Sequence, residues 1–226
     1  MKYVALIAIW VCWSWSSNNT VIMDLPEGFC YVQDEIPGIH RELRYWTSEN
    51  FIGRPIDGYE RPVPILTCAA TYALSDVESE LNKQGLGLLI YDGYRPQRAV
   101  DHFVRWARDT RDTLQKNAYY PAVPKSKLFE QGYISSRSGH TRGSTVDLTI
   151  IELDTEEPLD MGGPYDFFGE LSHHSYPHIT DAQKANRTLL KSTMSKHGFR
   201  PYSKEWWHYT LRGEPFADQY FDFVVE

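Results

Sequence analysis

Residues 69–96 read AATYALSDVESELNKQGLGLLIYDGYRP, and they hold both kinds of secondary structure on which the fold turns. Ala70, Ala73, Leu74, Val77 and Leu81 recur at helical spacing, and Gly85 stands where a left-handed C-terminal cap belongs. The spacing predicts a mostly buried helix over 69–84. The apolar run 86–91 is short enough for a buried strand, which delivers Asp92-Gly93-Tyr94-Arg95-Pro96 at its end. Pro96 suits the first turn of a second helix, with Ala99, Val100, Phe103, Val104 and Ala107 on its inner face.

Further along, 112–137 is turn-rich, with Pro121, Pro124 and Gly132, and reads as a long loop of the functional or mobile kind. From 144 to 150 the pattern alternates, Val146, Leu148 and Ile150 against Thr145, Asp147 and Thr149, which predicts a half-buried strand. A helix is expected from about 181 to 197, with Thr180 as N-cap and Gly198 as the stop, and an aromatic-rich strand over 205–211. This order lacks regular βαβ alternation. The expected fold is α+β, a single domain over 24–226 with helices packed on a mixed or antiparallel sheet. No repeat, low-complexity tract or Pro/Ser-rich linker divides that span.

The 226 residues suffice for one well-buried core, and 42% apolar with 23% charged residues excludes disorder and coiled coil. A net charge of -7 without a long basic run gives nucleic acid and anionic membrane surfaces nothing to bind, leaving a small molecule or peptide as the partner. The N-terminus reads as a signal peptide over 1–16. Lys2 precedes an apolar run, 3–13, too short for a bilayer span, and Ser14-x-Ser16 offers a small-x-small cleavage site. Export is expected, periplasmic or secreted and without a stable membrane span, the alternative being an uncleaved anchor. Bulky Trp10 and Val11 argue against a lipid-modified Cys12. The mature chain would keep Cys30 and Cys68, either bridged or as buried free thiols.

The chemistry gathers in Ser138-Gly139-His140-Thr141-Arg142-Gly143-Ser144-Thr145-Val146-Asp147 and in Glu205-Trp206-Trp207-His208. Two imidazoles and a carboxylate, from His140, Asp147 and His208, can bind one Zn²⁺ and leave a fourth position for water. His140 and Asp147 are an odd number of residues apart, so His140 must sit in a loop, with Gly143 as the bend. Glu205 and His208 share a face only on a helical turn, which places Glu205 before the strand. There it is either a solvated charge or the group that takes the water's proton and returns it to a leaving amine. His173, His174 and His178 suggest a second metal, but Pro177 argues against a helix that would align them. His40, His102 and His197 read as structural, and Asn18 and Asn186 begin Asn-x-Thr patterns.

The Asp92–Pro96 motif, the Ser-x-His-x-x-Gly-x-x-x-Asp segment and Glu205-Trp206-Trp207-His208 together resemble the zinc D-alanyl-D-alanine dipeptidases of the VanX type. The likeness runs from about residue 28 to the last, and it includes Asn50-Phe51-Ile52-Gly53-Arg54-Pro55, Met161-Gly162 and Ser172-His173-His174. The resemblance implies hydrolysis of D-Ala-D-Ala to two D-Ala, with His140, Asp147 and His208 as zinc ligands and Glu205 as base and acid. It implies Arg95 at the transition-state oxyanion, Ser138 near the substrate carboxylate, and Tyr59 and Asp166 near its ammonium. An Arg95 that only caps strand and helix, or an Asp166 that only makes a turn, is the bland alternative. A D,D-carboxypeptidase or wall endopeptidase with the same metal core remains open, as does a catalytically dead wall-binding domain. Resistance-type members would act on a cytoplasmic dipeptide pool, so an exported enzyme fits wall-peptide turnover or scavenging better.

Overall fold

The structure is a computed structural model describing residues 25–226; the expected leader over 1–16 and the Asn18 pattern lie outside the described residues. Among the described residues the strands are β1 (Phe29–Tyr31), β2 (His40–Arg41), β3 (Ile65–Thr67), β4 (Leu86–Asp92), β5 (Thr145–Glu152), β6 (Phe199–Pro201) and β7 (His208–Leu211). The α-helices are α1 (Val32–Glu35), α2 (Cys68–Asn82), α3 (Gln97–Arg108), α4 (Lys116–Tyr119) and α5 (Asp181–Lys196). β1 and β3 form a small antiparallel ribbon, and the main sheet runs β2-β4-β5-β7-β6. Only the β2–β4 pair in that sheet is parallel, so the fold is α+β on a mixed sheet.

α2 starts where the Thr67 side chain accepts the Ala70 amide, a cap worth about 1 kcal/mol. Its stripe of Ala70, Leu74, Val77 and Leu81 is fully buried, and truncating Leu74 or Leu81 to Ala would cost about 2–5 kcal/mol. α5 opens with a capping box between Thr180 and Gln183. α2 lies on β4, α5 on β6, and the two helices touch, so they form one layer over one face of the sheet. Pro96 is the N-cap of α3 rather than a residue of its first turn. The 112–137 stretch is irregular apart from α4 and the 3₁₀ turn Lys125–Lys127.

β5 departs from expectation. It is buried on both faces up to Ile151, not half-buried, because the polar side of its alternation is covered as well. Tyr165 donates there to Asp147, Thr145 is bonded to Thr210, and Thr149 is buried beside the 158–165 segment. The aromatic strand is shorter than expected and begins at His208, with Glu205 in the turn before it.

Two features bind the periphery. Cys30 and Cys68 form a disulfide with Cα atoms 5.0 Å apart, tying β1 to the start of α2. The last residues fold back over the β1 side of the molecule. Phe216 stacks on Phe29 and Phe223 on Tyr94, Val225 pairs with Tyr59, and the Tyr31 hydroxyl donates to the Glu226 carbonyl.

Candidate metal centre and cleft

Three adjacent strands set polar side chains abreast. β7 places His208 directly opposite Asp147, and a register shift in β4 between Ile90 and Asp92 places Asp92 opposite Asp147 on the other side. Irregularities of this kind re-aim a side chain at the rim of a site. His140 arrives from the 3₁₀ turn Gly139–Arg142, whose bend is Gly143 at φ +81. A Cβ at residue 143 would lie 2.2 Å from the Phe29 ring, so the bend requires glycine on two counts.

Asp147 Oδ1 lies 3.3 Å from His140 Nε2 and 3.0 Å from His208 Nδ1, and those two nitrogens are 3.3 Å apart. Tetrahedral Zn²⁺ with bonds of about 2.0–2.1 Å holds neighbouring donor atoms roughly 3.3 Å from one another, so the triad fits the ion. Asp147 Oδ1 is buried with no hydrogen-bond donor among the described residues, which is the condition of an oxygen meant for a cation. His140 Nδ1 donates to the Gly93 carbonyl at 2.8 Å, which leaves Nε2 with its lone pair toward the triad. Burial alone would raise the Asp147 carboxyl, but His140 and His208 hold it well below the usual carboxylate range.

Glu205 sits beside this centre, with Oε2 3.4 Å from His208 Nδ1. Burial pushes its carboxyl up to about 7; Asp147 adds to the rise, while His208 and Arg95 oppose it. Arg95 is held by its Nε donating to Asp92 Oδ2 at 2.9 Å, and its guanidinium lies over the Tyr45 and Phe103 rings. Its Nη2 reaches Asp147 Oδ2 at 3.5 Å. The guanidinium is thereby fixed at the edge of the metal centre, not left as a surface cap.

These groups line a cleft enclosing about 310 Å³. Asp166 lies in its wall at 5% exposure, in the left-handed region at φ +60, with Oδ2 accepting the Tyr45 hydroxyl at 2.8 Å. A non-glycine residue there carries strain, which Asp tolerates better than most. Burial, and then the Asp147 charge, push the Asp166 carboxyl well above the ordinary range. Ser138 lines the cleft and its hydroxyl accepts the His140 amide at 3.3 Å. Tyr59 does not line it. Its hydroxyl donates to Asp92 Oδ1 at 2.7 Å, behind Arg95, because the strand shift that presents Asp92 leaves a buried carboxylate in need of a second donor. Among the described residues, His140, Asp147 and His208 are the group able to hold a metal, and His173, His174 and His178 do not form a second.

Residues 26–226 match the family profile described as D-ala-D-ala dipeptidase (Peptidase_M15). The chain belongs to that family. Among curated relatives, the D-alanyl-D-alanine dipeptidase of Enterococcus faecalis is 43% identical over 201 residues, 89% of this chain and all of that one. Those of Streptomyces coelicolor and Enterococcus faecium are 44% and 42% identical, each over 98% of the relative and 87% and 88% of this chain.

Four residues of this dipeptidase-family chain carry the site without having been singled out in sequence. Asp92 lies inside the Asp92–Pro96 motif, and an acidic residue ending a buried strand three before an arginine is its signal. Tyr45 and Tyr165, which donate to Asp166 and Asp147, had none, because the pairs are 121 and 18 residues apart. Arg187, 3% exposed on α5, donates to the carbonyls of Met161, Leu171 and His173, and so clamps both arms of the loop that presents Asp166.

Proposed function

We propose that this protein hydrolyses the free dipeptide D-Ala-D-Ala to two molecules of D-Ala, using zinc held by His140, Asp147 and His208. The observation that carries the reading is the juxtaposition, in one small cleft, of that triad and Glu205 with the buried Asp166 carboxyl. Bound there, Zn²⁺ supplies Lewis acidity to the scissile carbonyl and the attacking water. Glu205 accepts the proton that water loses as its oxygen adds to the carbonyl carbon, a task suited to a carboxylate held beside the metal ligands. Arg95 donates to the oxyanion that forms, already aimed by Asp92 and two aromatic rings. As the C–N bond breaks, Glu205 returns the proton to the leaving nitrogen. Asp166 receives the substrate ammonium, and Tyr45 rather than Tyr59 orients it.

The buried Asp166 favours a dipeptidase over a carboxypeptidase, since a longer peptide would present an amide to that carboxyl. The test is kcat/KM for D-Ala-D-Ala, its N-acetyl form and a tripeptide ending in D-Ala-D-Ala. A preference of at least about 30-fold for the free dipeptide is expected; equal values would move the activity to the carboxypeptidase class.

Export with cleavage after Ser16 belongs to the same proposal, in the service of wall-peptide turnover or scavenging. The Cys30–Cys68 bridge supports it, because disulfides persist in oxidising compartments. N-terminal sequencing of protein from its native host decides the point, and an intact Met1 or Lys2 on soluble cytoplasmic protein would overturn it.

A further inference from the structure

The cleft is lined by three acidic residues, Asp147, Asp166 and Glu205, and by two arginines, Arg95 and Arg137. A zwitterionic dipeptide carries a carboxylate as well as an ammonium, and a guanidinium is a natural partner for it. Arg95 is committed elsewhere, since Asp92 and Asp147 hold it at the edge of the metal centre, where the oxyanion forms. Arg137 has no carboxylate partner among the described residues, is exposed at the rim, and follows a bend in which its amide donates to Ser135 Oγ. Its guanidinium carbon lies 5.1 Å over the Tyr220 ring, which accounts for a tyrosine left 36% exposed. Arg142 approaches the other side of this cluster, yet its charge is consumed by a two-point bond to Glu214 at 2.9 and 2.7 Å. Ser138, the next residue, accepts from the His140 amide and so keeps its O–H hydrogen to give.

We infer that Arg137, steadied on Tyr220, grips the substrate's C-terminal carboxylate together with the Ser138 hydroxyl, and so makes this enzyme select a free carboxyl end. The inference rests on the dipeptidase reading above and adds to it a specificity-determining residue. A guanidinium offers a carboxylate two parallel N–H donors, and the pair forms at the lip of the cleft before the chemistry. It acts on binding, so its loss should appear in KM and leave kcat nearly unchanged.

The experiment measures kcat and KM for D-Ala-D-Ala and for its C-terminal amide with the zinc-loaded parent, Arg137→Gln and Arg137→Lys. In the parent the free acid should be preferred. In Arg137→Gln, KM for the acid should rise about 10-fold, the lower part of the range for charged hydrogen bonds because the rim is wet. Its KM for the amide should stay within about two-fold, so that the preference collapses, while Arg137→Lys should restore part of it. An unchanged acid-to-amide ratio in Arg137→Gln, with an active parent, would overturn the assignment of Arg137 alone. A parent that hydrolyses neither substrate would overturn the dipeptidase reading and this inference with it.

Discussion

Replacing Asp166 by Asn should weaken catalysis and strengthen the fold. The substitution is nearly isosteric, Asn tolerates the left-handed backbone at φ +60, and its side-chain oxygen can still accept the Tyr45 hydroxyl. What is lost is the negative charge opposite the substrate ammonium. A buried charge-assisted contact is worth about 2–5 kcal/mol when one partner is removed. Part of that is offset here, because burial holds the free Asp166 carboxyl well above its usual range and the group must ionise as the ammonium arrives. The net loss should therefore fall near the low end, about 10- to 100-fold in kcat/KM for D-Ala-D-Ala. N-acetyl-D-Ala-D-Ala, which has no ammonium, should change by less than about three-fold.

Stability supplies the second half of the test. In the unfolded chain Asp166 ionises at about 3.9, while in the fold it holds its proton to higher pH. Between those values the native state binds more protons than the unfolded state, so this residue's contribution to stability falls as pH rises. Asn removes that loss. Metal-stripped Asp166→Asn should melt above the parent at pH 7, and the gap should close toward pH 4. Equal losses on both substrates, or a lower melting temperature at pH 7, would refute the reasoning.

Glu205→Gln should keep its metal and fold while losing about 10²- to 10⁴-fold in kcat, measured alongside zinc content. His140→Ala and His208→Ala should each fall well below one zinc per chain by elemental analysis, where unchanged content would reject them as ligands. Breaking the Cys30–Cys68 bridge by a double Ser substitution should cost about 4 kcal/mol, from the chain entropy of a loop with 38-residue separation, as read by urea unfolding.

The candidate metal triad is legible because zinc restricts the residue types and the spacing restricts their placement: an odd interval demands a loop, and Gly143 supplies it. The helices at 68–82 and 181–196 are legible because each carries its own cap, and the first an apolar stripe. Contacts that close only in three dimensions were hidden. The polar face of β5 reads as solvent-facing until Tyr165 and the 158–165 segment are seen to cover it. The resemblance places Tyr59 at the substrate, but its hydroxyl is spent on Asp92, whose position depends on a one-residue register shift that no local pattern announces. β2, two residues long, is too short to leave a periodic signal.

The aromatic strap at the end of the chain sets the order in which this protein can be made. Phe216, Phe221 and Phe223 all pack on Phe29, and Tyr31 reaches Glu226 across 195 residues, so the aromatic cover of β1 is incomplete until the last segment exists. Phe29 in turn sits against Gly143, under the loop that carries His140. A nascent chain still on the ribosome thus lacks part of the cover of β1 and of Phe29, which backs the loop of His140. Folding that waits for such distant contacts is slow. Synthesis would then release a chain whose first aromatic contacts are completed only by its last residues.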